Sequence, residues 1–132
     1  MAELRNPLSI RVYWEDTDAG GVVYYANYLK FFERARTEWL RMLGVEQGDL
    51  KARSDCIFVV ADVQLRYLVT ARLDDLLTVT VHVAEQGRAS LLLLQQVWRG
   101  NTLLAEGQIR IGCVRASTLR PCRIPEQVSA LL

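Results

Sequence analysis

Two aspartates, Asp16 and Asp18, flank a single threonine in the segment YWEDTDAGGVVYYANYL of residues 13–29. Gly20 and Gly21 follow them and permit a tight backbone path. Backbone N–H groups at the start of a following helix would carry the positive end of its dipole and favour a developing oxyanion. A carboxylate beside such donors is the minimum set for splitting an activated acyl group, either by attack on the carbonyl or by activation of a water. The spacing alone favours the simpler alternative, an acidic turn that caps the helix.

The composition of the 132-residue chain argues against several classes of partner. Its formal net charge is +1 at pH 7, so it has no broad basic surface for nucleic acid or an anionic membrane. The segment MAELRNPLSIRV contains no basic stretch followed by an apolar one, and nowhere do about 18 apolar residues run together. We therefore expect a cytoplasmic protein that neither spans a membrane nor binds nucleic acid.

Other catalytic chemistries lack the residues that they need. His82 is the single histidine and no G-x-S-x-G segment occurs, so His82 is predicted to be a structural or surface residue rather than a catalytic one. Metal sites that need two histidines are excluded, and no glycine-rich phosphate motif is present. Cys56, Cys113 and Cys122 are odd in number and form no C-x-x-C pair. They predict buried free thiols rather than a disulfide framework or a zinc knuckle.

The segment after the aspartates predicts one long amphipathic helix. From Tyr28 to Leu43, apolar residues recur at intervals of three and four, and charged residues fill much of the remainder. Gly44 is the predicted C-terminal stop. The predicted buried face consists of Tyr28, Phe31, Phe32, Ala35, Trp39, Leu40 and Leu43.

Five segments alternate in the manner of half-buried strands. LSIRVYW is the first, before the helix, and in residues 57–69 every odd position is apolar, which predicts a long strand whose odd residues form one buried face. The alternation returns in residues 77–83, 89–98 and 103–113. The breaks TARLDD, EQGR and RGN are short, so neighbouring strands are predicted to pair as an antiparallel meander.

These elements predict a single α+β domain over residues 1–132. Its long helix is wrapped by an antiparallel sheet of roughly five strands, because that arrangement buries the apolar face of the helix. Such a sheet has open edges, which are a hazard unless another subunit covers them. The protein is therefore expected to be at least a dimer.

The segment from Asp16 to Tyr28 reads DTDAGGVVYYANY and matches the pattern D-x-D-x-x-G-[VI]-V-x-[YH]-x-[NS]-Y at every specified position. In this motif the chain resembles the hotdog-fold acyl-CoA thioesterases of the 4-hydroxybenzoyl-CoA thioesterase family, especially the branch encoded beside the Tol-Pal envelope system. The resemblance continues through FFERARTEWLRMLG and ARLDDLLTV and covers nearly the whole chain. The Tol-Pal branch usually has histidine where this chain has Tyr25, whereas the 4-hydroxybenzoyl branch has tyrosine.

The resemblance implies an enzyme that hydrolyses an acyl-CoA thioester to a free acid and coenzyme A, with no metal or dissociable cofactor. It assigns Asp18 as the catalytic carboxylate, acting as nucleophile or general base, and the backbone N–H of Tyr25 as the oxyanion donor at the helix start. Asp16 is assigned to holding the loop. The resemblance also implies a homodimer or homotetramer with active sites at the subunit interfaces, and acyl carrier protein as a further candidate partner.

Substrate binding is assigned to further positions. Glu33 falls where relatives have a polar residue near the acyl pocket, although pairing with nearby arginines would explain it equally well. Arg88 and Ser90 lie where relatives contact coenzyme A phosphates, with a solvent-exposed hairpin as the alternative. Val59 and Val60 are candidates to line the acyl tunnel, and one of the two must face the inner side of the sheet. The full set is Gly21, Val22, Glu33, Val59, Val60, Arg88 and Ser90.

Two other functions remain as alternatives. A hotdog dehydratase would pair a histidine with a carboxylate, but His82 lies in no such motif. A non-catalytic module that binds acyl-CoA or acyl carrier protein would not need the intact DTDAGG segment. The sequence does not distinguish between short, long and aromatic acyl groups, between the two roles of Asp18, or between dimer and tetramer, and it leaves a link to the Tol-Pal system open.

Overall fold

A 16-residue helix and five antiparallel strands form the framework of a computed structural model that describes residues 7–132. The first six residues of the predicted 1–132 domain lie outside the described part. The elements are β1 (Leu8–Arg11), α1 (Asn27–Met42), α2 (Gln47–Ser54), β2 (Cys56–Tyr67), β3 (Leu76–Gln86), β4 (Ser90–Arg99), β5 (Thr102–Arg115) and α3 (Glu126–Ser129). The first strand ends at Arg11 rather than at the predicted Trp14, and a 3-10 turn, Trp14–Asp16, begins at that position.

Helix α1 lies within one residue of its predicted bounds, and the face that the sequence predicts is the face that is buried. The residues below one tenth exposure are Asn27, Tyr28, Phe31, Phe32, Ala35, Trp39 and Leu40, while Leu43 packs against them half-buried. Gly44 has a φ of +92°. Its N–H bonds to the carbonyl of Arg41 and that of Val45 to the carbonyl of Leu40, which is the Schellman arrangement and explains why a glycine ends this helix.

The strand order across the sheet is β1-β3-β4-β5-β2. Strands β3, β4 and β5 form the predicted antiparallel meander. Strand β2 pairs with β5 rather than with β3, so the prediction of a turn at TARLDD is wrong. Residues 68–75 instead carry the chain from one side of the sheet to the other, which a pattern of short breaks does not reveal because strand pairing is a long-range property.

Strand β2 changes the face that it buries partway along its length. It pairs continuously with β5 except between Val60 and Asp62, where Ala61 is an extra residue that forms a β-bulge. Before the bulge, even residues such as Phe58 lie opposite buried residues of β5, and after it odd residues such as Val63 do. The prediction that odd positions form one continuous buried face is therefore wrong for the first half of the strand, because one added residue exchanges the two faces.

The core lies between α1 and the inner face of the sheet. Gln95 is fully buried there, and its amide donates to the carbonyl of Phe32 at 3.0 Å and accepts from the Arg36 guanidinium at 3.0 Å. This satisfies a polar group that would otherwise be costly to bury. Gly107 leaves room for the Phe32 ring against β5, since a Cβ there would lie 3.0 Å from that ring and 2.8 Å from Leu65.

The sequence prediction did not include α2 and α3. Helix α2 buries only Leu50 and is otherwise polar, so it carries little periodic signal.

Within residues 7–132 no helix has both the length and the apolar character needed to cross a membrane. Cys56 and Cys113 are buried and Cys122 is half-buried, so the burial prediction holds fully for two of the three.

Candidate active site

Asp16 is buried at the centre of a hydrogen-bond network before helix α1. It is 4% exposed, and its two carboxylate oxygens accept from the N–H of Tyr13 and from the side-chain amide of Asn27, both at 2.8 Å. Its carbonyl accepts from the N–H of Tyr24 at 2.9 Å. Asp16 thus ties the 3-10 turn to the start of the helix, and both of its carboxylate oxygens are occupied.

Asp18 is exposed on a tight turn. Its N–H donates to the carbonyl of Val22 at 2.9 Å, and its carbonyl accepts from the N–H of Gly21 at 3.0 Å. Gly21 has a φ of +78°, a conformation that glycine adopts without strain. Carboxylate oxygen Oδ1 accepts from the N–H of Gly20 at 2.8 Å, while Oδ2 has no hydrogen-bond partner among residues 7–132. One carboxylate oxygen therefore fixes the side chain and the other is open to solvent.

Residues 68–75 support this turn through backbone contacts. The N–H of Val23 donates to the carbonyl of Ala71 at 2.9 Å, and Val22 forms a β-bridge with Arg72. Residues 68–75, a connection that the sequence did not predict, thus hold Val22 and Val23, the residues that follow the Asp18 turn.

Asp75 closes the supporting segment onto the sheet. Its carboxylate accepts from the N–H of Arg72 at 2.9 Å and from the guanidinium of Arg99, on β4, at 2.8 Å. Burial alone would raise the pKa of Asp75, but these two donors outweigh it and lower the pKa. The ionised carboxylate is thereby favoured, and it keeps the segment in place.

Tyr25 lies in the turn that leads into α1, two residues before the first helical residue. The N–H of Asn27 donates to the carbonyl of Tyr24 at 2.8 Å, whereas the structure gives the N–H of Tyr25 no acceptor among residues 7–132. The carbonyl of Tyr25 accepts from the hydroxyl of Tyr67, on β2, at 2.8 Å, which fixes the plane of the turn. An N–H without an intramolecular acceptor beside a helix start is a suitable anion donor.

Glu33 and Val60 line one cavity of about 310 Å³ between α1 and the strands β2 and β5. Arg36 and Trp39 line it too, and were not predicted as site residues. Burial lowers the pKa of Arg36, an effect that the nearby Glu33 carboxylate opposes. The indole N–H of Trp39 is buried and has no partner within the described chain, so a polar atom in the cavity could accept from it. Val59 lies on the opposite face of β2, because it is adjacent to Val60 in the strand.

Arg88 and Ser90 lie in and after the turn between β3 and β4. Arg88 is exposed, and Ser90 is within 3.5 Å of the Arg110 guanidinium. The turn is at the far end of β3 from the segment that supports the Asp18 turn, and the eleven residues of β3 span on the order of 30 Å. The structure therefore does not bring Arg88 and Ser90 together with Asp18 within one chain.

Asn27 and Tyr67 position the candidate site but were not predicted to do so. Asn27 belongs to the quoted motif, so its position was visible, but the sequence does not show that its amide bonds to Asp16. Tyr67 carries no such signal, because its contact with Tyr25 joins residues 42 positions apart.

Comparison with known proteins gives consistent matches over nearly the whole chain. The model of the thioesterase-like superfamily matches residues 12–132. The chain is 45% identical over 121 residues to the acyl-CoA thioesterase YbgC of Haemophilus influenzae, covering 92% of this chain and 89% of that protein. It is 41% identical over 122 residues to the acyl-CoA thioester hydrolase YbgC of Escherichia coli O157:H7, covering 92% and 90%. The crystal structure of a probable thioesterase from Bartonella henselae superposes with a TM-score of 0.87 at 32% identity, covering 91% of this chain and 98% of that one.

Proposed function

The chain belongs to the thioesterase-like superfamily, and from that membership we propose that Asp18 and the backbone N–H of Tyr25 form its catalytic centre. The protein has the hotdog thioesterase fold with a five-stranded antiparallel sheet and one long helix. It is an acyl-CoA thioesterase, which hydrolyses an acyl-CoA thioester to a free acid and coenzyme A. The observation that carries the assignment of the centre is the exposed Asp18 carboxylate, fixed through one oxygen and open at the other.

Asp18 supplies the carboxylate of the reaction. Its Oδ2 either attacks the thioester carbonyl, giving a mixed anhydride that water then hydrolyses, or takes a proton from the water that attacks. In both routes the carbonyl oxygen becomes an oxyanion, and the sulfur of coenzyme A leaves as the carbonyl re-forms. Asp16 does not compete for this role, because both its oxygens are engaged and it is buried.

The backbone N–H of Tyr25 stabilises the oxyanion. Backbone donors of this kind are effective because they need no reorganisation during the reaction. Tyr67 holds the neighbouring carbonyl at 2.8 Å, and the Asp16 network fixes Tyr24 on the other side. The tyrosine side chain itself is exposed, so exchange with the histidine of the Tol-Pal branch would leave the donor in place.

The acyl group occupies the cavity lined by Glu33, Val60 and Trp39. Glu33 is six residues into the helix from Asn27, a distance of about 9 Å along the axis, so the acyl group would extend from Tyr25 along α1. Gly21 and Val22 would border the thioester, since they form the Asp18 turn. Val59 faces away from this cavity, and it contributes to the acyl site only through another subunit.

Coenzyme A binding requires a second subunit in this proposal. Arg88 and Ser90, the positions matched to phosphate contacts, are remote from Asp18 in their own chain, so a partner subunit must supply them. We place the active sites at the interfaces of a homodimer or homotetramer. The free thiols support a reducing, cytoplasmic location.

The finer placement of the chain is in the 4-hydroxybenzoyl-CoA thioesterase family and its Tol-Pal-associated branch. The DTDAGGVVYYANY motif supports this placement. Tyr25 is the position at which the chain departs from the Tol-Pal branch, which usually has histidine there. An acyl carrier protein that delivers the acyl group remains a candidate partner.

The test is a free-thiol release assay over short, long, branched and aromatic acyl-CoAs with the parent and Asp18→Asn. We expect turnover to fall at least ~100-fold, because the variant lacks the nucleophile or base. Glu15→Gln is the matched control, since Glu15 is an exposed carboxylate three residues away, and it should retain full activity. Full activity in Asp18→Asn would show that this carboxylate is not catalytic.

A single turnover in ¹⁸O-labelled water separates the two roles of Asp18. Label that enters the Asp18 carboxylate indicates attack, because hydrolysis of the mixed anhydride places a water oxygen on one of its two carbonyl carbons. Label confined to the released acid is expected of the general-base route and also of an anhydride that water cleaves at its acyl carbon. Mass analysis after a rapid acid quench separates these two cases, because only the attack route leaves the acyl group on Asp18.

A further inference from the structure

Three thiols that are far apart in sequence meet at one point of the fold. Cys122 Sγ lies 3.5 Å from Cys113 Sγ and 3.7 Å from Cys56 Sγ. All three sulfur atoms lie within 4.8 Å of one another. They are the only cysteines of the chain, and the proposed thioesterase centre uses none of them.

The cluster is fixed by backbone pairing rather than by chance contact of flexible side chains. Cys56 begins β2, and Cys113 lies near the end of the neighbouring β5. The segment with Cys122 returns beside β5, where the N–H of Cys122 donates to the carbonyl of Cys113 at 2.9 Å and Pro121 forms a bridge with Val114. Three separate segments therefore direct their cysteines to one side, which is why no C-x-x-C spacing marks the cluster.

The sulfur spacing matches a set of thiolates around one small soft cation. A zinc–sulfur bond of about 2.3 Å in tetrahedral geometry separates neighbouring sulfurs by about 3.8 Å. The distances of 3.5 and 3.7 Å are close to that value before any metal draws the atoms together. We propose that Cys56, Cys113 and Cys122 form a binding site for a thiophilic d10 cation, Zn²⁺ or Cu⁺.

The surroundings suit the charge that binding would create. Three thiols lose their protons to solvent when they become ligands, so Zn²⁺ with three thiolates carries one net negative charge. The Arg115 guanidinium lies 3.9 Å from Cys56 Sγ and offsets that charge. Cys122 is half-buried while the other two are buried, so the cation enters past Cys122, and a water or solvent ligand completes tetrahedral zinc on that side.

The site is tested by titrating the reduced, metal-free full-length protein with Zn²⁺ and with Cu⁺, each against a chromophoric chelator. We expect one equivalent of cation per chain, and Co²⁺ as a probe should give sulfur-to-cobalt charge-transfer bands. Cys122→Ser should weaken binding at least ~100-fold, more than is typical for loss of a supporting contact. His82→Gln is the control, because it removes the only histidine, and it should bind as the parent does. Each arm is judged by its own stoichiometry and chelator-corrected affinity, because thiolates bind Cu⁺ more tightly than Zn²⁺ at almost any site.

Each outcome decides the proposal. Failure of all three cations to bind a parent that retains its melting temperature and its thioesterase activity overturns it, as does binding that Cys122→Ser leaves unchanged. A mass lower by two hydrogens in protein isolated without reductant, together with no cation bound by the reduced protein, would show that the cluster is a disulfide site instead. If Cys122→Ser does not fold, thiolate charge-transfer bands in the parent still support the site, and their absence still overturns it.

Discussion

Gly21 sets the shape of the turn that carries Asp18. Its φ of +78° lies in the left-handed region, and a Cβ there would meet nothing within 4 Å. The requirement for glycine is therefore one of backbone conformation and not of space. A side chain would disfavour this conformation by about 1 kcal/mol and shift the turn toward others.

We expect Gly21→Ala to lower kcat of thioester hydrolysis several-fold while the melting temperature falls by only a few degrees. The reason is that the turn positions Asp18 but buries little surface. Gly48→Ala is the control, because Gly48 lies in α2, has no positive φ and would also meet nothing within 4 Å, so alanine should stabilise that helix. Unchanged kcat in Gly21→Ala would show that the turn conformation does not matter for catalysis.

Packing of the Phe32 ring from α1 against strand β5 depends on Gly107. We expect Gly107→Ala to destabilise the protein by about 1–3 kcal/mol, because its Cβ would press on the fully buried Phe32 ring. The measurement is the midpoint of chemical denaturation. Gly112→Ala on the same strand is the matched control, since its Cβ would meet only a carbonyl oxygen at 4.0 Å. Equal midpoints for the two variants would contradict this account of helix–sheet contact.

Elements differ in how far the sequence predicts them. Helix α1 and the β3-β4-β5 meander were predictable because each follows from local periodicity. The pairing of β2 with β5 was not, because alternation shows that a strand exists but not which strand it joins. The short α2 was missed, since one buried leucine is too weak a signal.

The residues of the candidate site also differ in how far the sequence predicts them. The motif identified Asp16, Asp18 and Tyr25, because the three lie in one short segment and a sequence pattern can specify their spacing. The supporting contacts of Tyr67 and Asp75 join distant segments, and the three cysteines meet only in three dimensions. Contacts of this kind leave no trace in the spacing of a single sequence.

For the molecule as a whole, the outer edge of β2 is the surface that an assembly should cover. Strand β2 lies at the end of the sheet and has exposed apolar residues along and beyond it. These residues are Val59, Val60, Val63, Tyr67, Leu68 and Val69, each more than one third exposed. Long apolar edge strands are normally paired or covered. The proposed coenzyme A contacts of Arg88 and Ser90 also require a partner subunit, because both residues are remote from Asp18 in their own chain.

We expect Val59→Lys, on the exposed face of β2 that is turned away from the cavity, to shift the protein toward monomer in sedimentation analysis and to lower thioesterase activity with it. A lysine in the covered edge would place an unpaired charge in the interface. Leu76→Lys is the matched control, because Leu76 is a 49% exposed apolar residue at the start of β3, remote from β2 in the sheet order. A parent enzyme that is monomeric and fully active would contradict the assembly proposed for this fold.

The bulge at Ala61 has a consequence for how β2 can change over evolution or by engineering. Deleting Ala61 would make Val60 and Asp62 adjacent and restore uninterrupted pairing with β5, while every other residue of β2 keeps its partner and its face. The two halves of β2 need apolar residues at different positions: at even positions before the bulge and at odd positions after it. One residue of chain length thus separates a segment whose Val60 lines the cavity beside Glu33 from a segment whose Tyr67 reaches Tyr25.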